Sequence, residues 1–236
     1  MKLLVSVVSA EEARRALDGG ADIIDVKDPR EGALGAPSPR VLSEVVRIVG
    51  DAAPVSVALG DLPGLPHTFA LAACAPRYVK VGLQGVSDLD GAVALVSAVA
   101  DAVGSDVAVI AASYADVGAP EWLPAVVERT GIAGALVDTF VKDGRGLYGS
   151  SSEDDLADLI GRTHSVGGSF AVAGQLRLGE LCRVPADVVG VRSAVCRESD
   201  RTAQLEQGLV AAAVAEVRNF GAEARYVLPP APKFAG

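Results

Sequence analysis

Lys27 ends the run Asp22-Ile23-Ile24-Asp25-Val26-Lys27-Asp28, whose alternation reads as a β-strand with the lysine on the same face as Asp25. An ammonium on an inward face must be paired or lose its proton, because burying an uncompensated charge is costly. A lysine with a lowered pKa is a nucleophile able to form a Schiff base with a carbonyl substrate. Two further lysines have similar settings: Lys80 in Tyr78-Val79-Lys80-Val81-Gly82-Leu83, and Lys142, four residues after Asp138. Asp25 and Asp138 offer carboxylates for moving protons at the same strand ends. Asp61, after Ala58-Leu59-Gly60, reads either as a further mouth residue or as a helix cap. The competing reading of the group is structural: ion pairs joining Asp25 to the neighbours of Lys27 and Asp138 to Lys80, closing a core without chemistry. Lys142 lies in the glycine-rich Lys142-Asp143-Gly144-Arg145-Gly146-Leu147 and reads equally as an exposed loop lysine.

Such residues act together only if strand ends converge. Short β-rich runs alternate with Ala-rich segments of helical period, the pattern of βαβ units around a parallel sheet. The expected strands are Leu3–Val8, Asp22–Lys27, Val55–Leu59, Tyr78–Leu83, Asp106–Ala111, Gly134–Thr139, Ser169–Ala173 and Val188–Arg192. Ser9-Ala10-Glu11-Glu12 is a capping-box pattern that starts the first helix. Eight βα units in this length predict one (β/α)8 barrel, the TIM-barrel architecture, spanning residues 1–236 as a single domain. An open Rossmann-like sheet would show a Gly-rich fingerprint after its first strand, and Ser9-Ala10-Glu11 stands there instead. The proline-rich tail from about residue 228 to 236 cannot continue a helix and is expected to trail over the surface or into a neighbour. That tail and the apolar helices leave room for a homo-oligomer.

In a barrel, catalytic groups sit at the C-terminal strand ends, and anions are gripped by backbone amides after strands seven and eight. Those places read Ala173-Gly174-Gln175 and Val189-Gly190-Val191-Arg192-Ser193. Gly174 and Gly190 would let the backbone approach a phosphate, with Arg192 and Ser193 adding donors; as turn glycines they would have no such role.

Composition removes other classes. A formal charge of −9 and a pI near 4.7 argue against nucleic acid as a partner, which demands a basic face. Cys74, Cys182 and Cys196 are odd in number and lack CxxC spacing, so no disulfide framework is expected, and a reducing cytoplasm fits. The N-terminus enters a strand without a charged-then-apolar leader, and apolar stretches are interrupted too soon to span a bilayer. His67 and His164, the only histidines, belong to no metal-ligand spacing and read as surface or helix residues; no metal is expected. A G-x-S-x-G elbow, a Walker loop and an aromatic platform for bases are all missing.

The ordered motifs resemble a known family, that of (5-formylfuran-3-yl)methyl phosphate synthase, also called 4-(hydroxymethyl)-2-furancarboxaldehyde phosphate synthase. The resemblance rests on Asp22–Pro29 followed by Glu31-Gly32-Ala33-Leu34-Gly35-Ala36, on Tyr78–Leu83, on Asp138-Thr139 with Lys142-Asp143-Gly144, on Ala173-Gly174 and on Val189–Arg192. It covers nearly the whole chain, and the sequence departs from the pattern at Ser193-Ala194-Val195-Cys196, where small residues such as glycine are expected. It implies a barrel enzyme of the methanofuran pathway that condenses two glyceraldehyde 3-phosphate molecules without metal or organic cofactor. The Schiff-base lysine would map onto Lys27, assisted by Asp25, Lys80, Asp138 and Lys142, with Lys80 as the rival nucleophile. Two alternatives stand beside it: another Schiff-base sugar-phosphate aldolase, and a non-catalytic barrel that only binds a phosphorylated ligand.

Overall fold

The computed structural model describes residues 1–61 and 74–227, with side chains to residue 220. His67 and the proline-rich tail from 228 lie outside the described residues. Runs of β-branched residues form eight parallel strands: β1 Lys2–Val7, β2 Ile23–Val26, β3 Val55–Ala58, β4 Tyr78–Gly82, β5 Ala108–Tyr114, β6 Gly134–Asp138, β7 Ser169–Val172 and β8 Val188–Val191. They pair in chain order, and β8 returns to β1, closing the barrel. The described helices are α1 Ala10–Asp18, α2 Pro39–Val49, α3 Leu89–Val103, α4 Leu123–Thr130, α5 Glu153–Ser165 and α6 Gln207–Val227. None of them is long and apolar enough to cross a membrane.

Strand alternation divides the core in two. Leu3, Val5, Val7, Ile24, Val26, Val57, Val79 and Val81 face outward and pack under helix residues such as Ala13, Leu42, Val45 and Leu95. Ala58, Ala112, Tyr114 and Leu136 face inward and form a smaller cluster with Ala33 and Leu34. Small inner residues leave the barrel hollow: Ser6, Ser56, Ala171 and Gly190 line a cavity of 720 Å³ that holds Lys27 and Lys80.

Two expectations about elements need correction. The connection from β7 to β8 carries no helix; residues 173–187 form turns. Positive φ at Gly174 (117°), Gln175 (50°) and Gly179 (89°) interrupts helical geometry there, and Leu176, Leu181, Val184 and Ala186 bury themselves against the barrel in a helix's place. Strand β5 also runs on to Tyr114 rather than stopping at Ala111, because Ala112 and Tyr114 continue the inward face and pack inside the barrel.

The capping box forms by half. Ser9 Oγ accepts from Glu12 N at 3.2 Å, as its spacing predicts. The Glu12 carboxylate turns away, accepting from Val8 N at 3.0 Å and Leu205 N at 3.3 Å and clasping both terminal nitrogens of Arg192. The pair is buried, with side chains 8 and 6% exposed, and it joins the first helix to the segment after β8. Glu12→Ala would strand the Arg192 guanidinium without its counter-charge, and the expected cost is about 3–5 kcal/mol of folding stability. Urea unfolding checks this; a loss under about 1 kcal/mol, the level of an exposed pair, would contradict it.

Candidate active site

The register of β2, β3 and β4 brings Asp25, Ser56 and Tyr78 level with one another, with Lys80 two residues above Tyr78 on the inward face. Lys80 Nζ sits 2.7 Å from Asp25 Oδ1, with side chains 6 and 0% exposed. The other Asp25 oxygen accepts from Ser6 Oγ at 2.9 Å. Across the barrel, Asp138 at the end of β6 receives Lys142 Nζ at 2.8 Å and the Thr139 amide at 2.7 Å. Lys142 also donates to the Thr139 hydroxyl at 3.1 Å and to the Thr139 carbonyl. The loop after β6 therefore turns the lysine back onto its own strand end rather than out into solvent. Ion pairs do form, as the structural reading expects, but their partners are Asp25 with Lys80 and Asp138 with Lys142.

Lys27 completes the cluster differently. Its amine donates to the Ala33 carbonyl at 3.2 Å, and among the described residues no carboxylate lies within ion-pair distance of it. Removal from water lowers its pKa to about 8; the charges of Asp138 and Asp25 oppose the shift, while those of Lys80 and Lys142 add to it. At pH 7 roughly one Lys27 amine in ten is then uncharged, against roughly one in 3,000 for an ordinary lysine. Burial works to raise the Asp138 pKa, but Lys142 and Lys27 beside it prevail and hold the carboxyl below the usual range.

A third carboxylate stands at the rim. Asp61 accepts from Tyr114 Oη at 3.0 and 2.8 Å through its two oxygens and from Gln84 N at 3.3 Å. Burial raises its pKa against the pull of those bonds, and the Asp138 charge adds to the rise. Burial, and then the neighbouring Asp61 charge, raises that of Tyr114. The early end expected for β5 hid Tyr114 from sequence reasoning.

The anion-binding elements divide as well. Gly174 has φ 117°, and a Cβ there would lie 3.0 Å from the Thr139 amide, so the turn requires glycine. The amides of Gly174, Gln175, Ser193 and Ala194 make no bond to another described residue, and Gly174, Gln175 and Ser193 line the cavity. Gly190 lies within β8 and supplies room: a Cβ would stand 3.2 Å from that of Ala173. Arg192 borders the cavity, but its guanidinium is committed inward, to Glu12, to Ser6 O at 3.1 Å, to Arg201 O at 2.8 Å and to Ala203 O at 3.2 Å. It anchors the loop rather than reaching for an anion.

Arg201, which sequence reasoning passed over, borders the same cavity. One of its nitrogens donates to Gly32 O at 2.9 Å and to Pro29 O; its other donors have no partner among the described residues. The signal was its place in the charged Arg197-Glu198-Ser199-Asp200-Arg201 after the eighth strand. Gln175 was missed too. Its Oε1 accepts from Gly144 N at 3.3 Å, and Leu147 N donates to Gly174 O at 2.8 Å, so the Lys142 loop rests on the β7 turn. Cys182 and Cys196 are free thiols.

A closed parallel barrel with lysines and carboxylates gathered at the C-terminal rim defines a barrel enzyme. Comparison with known proteins gives the family. Residues 3–214 match the sequence profile of 4-HFC-P synthase. The chain is 41% identical over 217 residues to the (5-formylfuran-3-yl)methyl phosphate synthase of Methanobrevibacter smithii, covering 85% of this chain and 92% of that one. It is 38% identical over 232 residues to the protein of the same name from Methanosarcina barkeri, covering 92 and 99%. The chain belongs to the 4-HFC-P synthase family. Solved barrels resemble it in fold alone: KGPDC from Streptococcus mutans at 15% identity and TM-score 0.67 over 93 and 98% of the chains, and thiamine phosphate pyrophosphorylase from Pyrococcus furiosus at 17% and 0.66 over 93 and 96%.

The charge arrangement sets an expected titration. Between the Lys27 pKa of about 8 and the ordinary lysine value of 10.5, the unfolded chain holds a proton that the folded chain has lost, so this group makes stability rise with pH across that window. Reductive 13C-methylation followed by NMR should give one lysine resonance, absent from Lys27→Arg, with its midpoint near pH 8. A Lys27 midpoint above 10 would contradict the geometry.

Proposed function

We propose that this enzyme condenses two molecules of glyceraldehyde 3-phosphate into (5-formylfuran-3-yl)methyl phosphate through a Schiff base on Lys27, releasing one phosphate and two waters. The observation that carries the reading is the pairing pattern: Lys80 and Lys142 each contact a carboxylate at under 3 Å, whereas Lys27 makes a single bond to a neutral carbonyl. Only an uncharged amine attacks a carbonyl, and Lys27 is the lysine poised to be one. The names of the family's members supply the product.

Lys27 adds to the carbonyl of one triose and loses water to give an iminium. The iminium draws electrons from the neighbouring carbon, whose proton passes to Asp138 or Asp25. The second triose loses the proton beside its aldehyde and, from the next carbon, its phosphate, the C–O electron pair leaving on the phosphate. The enamine adds to the alkene carbon so exposed, its electrons passing into the retained aldehyde, and Lys80 and Lys142 stabilise the enolate and phosphate charges that develop nearby. Arg201 and the amides around Gly174 and Ser193 hold the phosphate that is retained. Lys27 is freed when the imine exchanges or hydrolyses, and ring closure with loss of water gives the aromatic product, which makes the late steps downhill. The residues complete this sequence without calling on a metal or organic cofactor. The net charge of −9 disfavours a nucleic-acid partner, and the small phosphorylated substrate is instead received by the cations at the mouth.

Purified enzyme given glyceraldehyde 3-phosphate alone should develop a near-ultraviolet chromophore in step with free phosphate, and Lys27→Ala should lose both by at least about 1,000-fold. Aldol turnover without a chromophore would replace the furan synthase with a simpler sugar-phosphate aldolase.

A further inference from the structure

Asp25 and Asp138 each contact an ammonium, whereas Asp61 contacts a phenol and an amide and, among the described residues, no cation. Its position is built with care. Gly82 follows Lys80 on the inward face of β4, since strand side chains repeat every second residue. A Cβ at Gly82 would lie 1.8 Å from Asp61 Oδ1, so the carboxyl occupies the space a side chain at that place would fill. This puts it about 7 Å along the strand from the position of Lys80, at the rim of the barrel. The Tyr114 ring is fully buried and braced edge-on by Phe140, with centroids 5.2 Å apart. It therefore holds the carboxyl and does not itself meet substrate. The ionisable groups that act on Asp61 are Tyr114 on β5 and Asp138 on β6, while Asp116 acts on Tyr114.

We infer that Asp61 is a further catalytic residue, the general acid of the dehydration steps, and that Tyr114 is its positioning residue. The inference rests on the furan-forming reading above, which requires hydroxyl groups to leave as water. In each such step the Asp61 O–H proton passes to the departing oxygen, and the C–O bond breaks with its electron pair on that oxygen. The adjacent C–H proton returns the carboxylate to its acid form. Water is the net loss, and no oxidant or reductant is involved. Burial, with no cation beside the carboxyl among the described residues, favours the protonated form that this role demands.

Three proteins test this: the parent enzyme, Asp61→Asn and Tyr114→Phe, each given glyceraldehyde 3-phosphate. Borohydride trapping reads the Schiff base, and near-ultraviolet absorbance reads the furan. Asp61→Asn should trap the adduct as the parent does while furan formation falls about 100-fold or more. In Tyr114→Phe the lost hydrogen bond to the carboxylate should move the alkaline limb of the kcat profile upward by roughly half a pH unit or more. Unchanged furan formation in Asp61→Asn, or joint loss of adduct and furan in both variants, would overturn the assignment and leave Asp61 a structural staple. A parent enzyme that traps no adduct would overturn the Lys27 reading, and the assignment with it.

Discussion

Two ammonium groups and two carboxylates meet inside the barrel as the pairs Asp25–Lys80 and Asp138–Lys142, and this pairing governs the remaining chemistry. A third lysine then stands beside four charges whose mutual neutralisation leaves no carboxylate for it. Had Asp25 or Asp138 bonded Lys27 instead, that amine would stay protonated and a different lysine would be the unpaired one. Burial of the pairs makes the choice firm, because exchanging partners would leave a charge stranded where removal from water is costly.

The barrel supplies what such a pairing needs. Parallel strands closed in sequence order bring Asp25, Lys80 and Asp138 to the barrel interior from β2, β4 and β6, and small residues at Ser6, Ser56 and Gly190 leave space there. The turn after β7 supports the loop that carries Lys142. On the other side of the mouth, the Glu12–Arg192 clasp holds the segment after β8 against the first helix. That segment brings Arg201 over the β2 loop, where it bonds Pro29 and Gly32. Lysine chemistry and anion binding thus depend on neighbouring loops tied to one another by backbone bonds.

Much of this was legible in the chain. Alternation in Asp22–Lys27 and Tyr78–Leu83 placed Asp25, Lys27 and Lys80 on the inner face, and strand ends located Asp138. Partner choice was not legible, because it depends on distances between strands far apart in sequence; Lys80 reaches a residue 55 positions away. Arg192 read as a phosphate donor because an arginine after the eighth strand is well placed for one, but nothing local discloses that Glu12, 180 residues earlier, claims it. Tyr114 escaped notice because Ala111-Ala112-Ser113 carries little hydrophobic signal, so the strand seemed to have ended. The missing helix after β7 was written in Gly174, Gly179 and Pro185, which the regularity of the other units obscured.

The central claim is that the unpaired lysine is the nucleophile. Peptide-level mass spectrometry of the parent enzyme, reduced with borohydride in the presence of glyceraldehyde 3-phosphate, locates the bound triose directly. A single modified site at Lys27, with Lys80 and Lys142 unmodified, is the expected result. Modification at Lys80 would mean that the Asp25 pair opens to release its ammonium, and would contradict the charge assignment on which the mechanism stands.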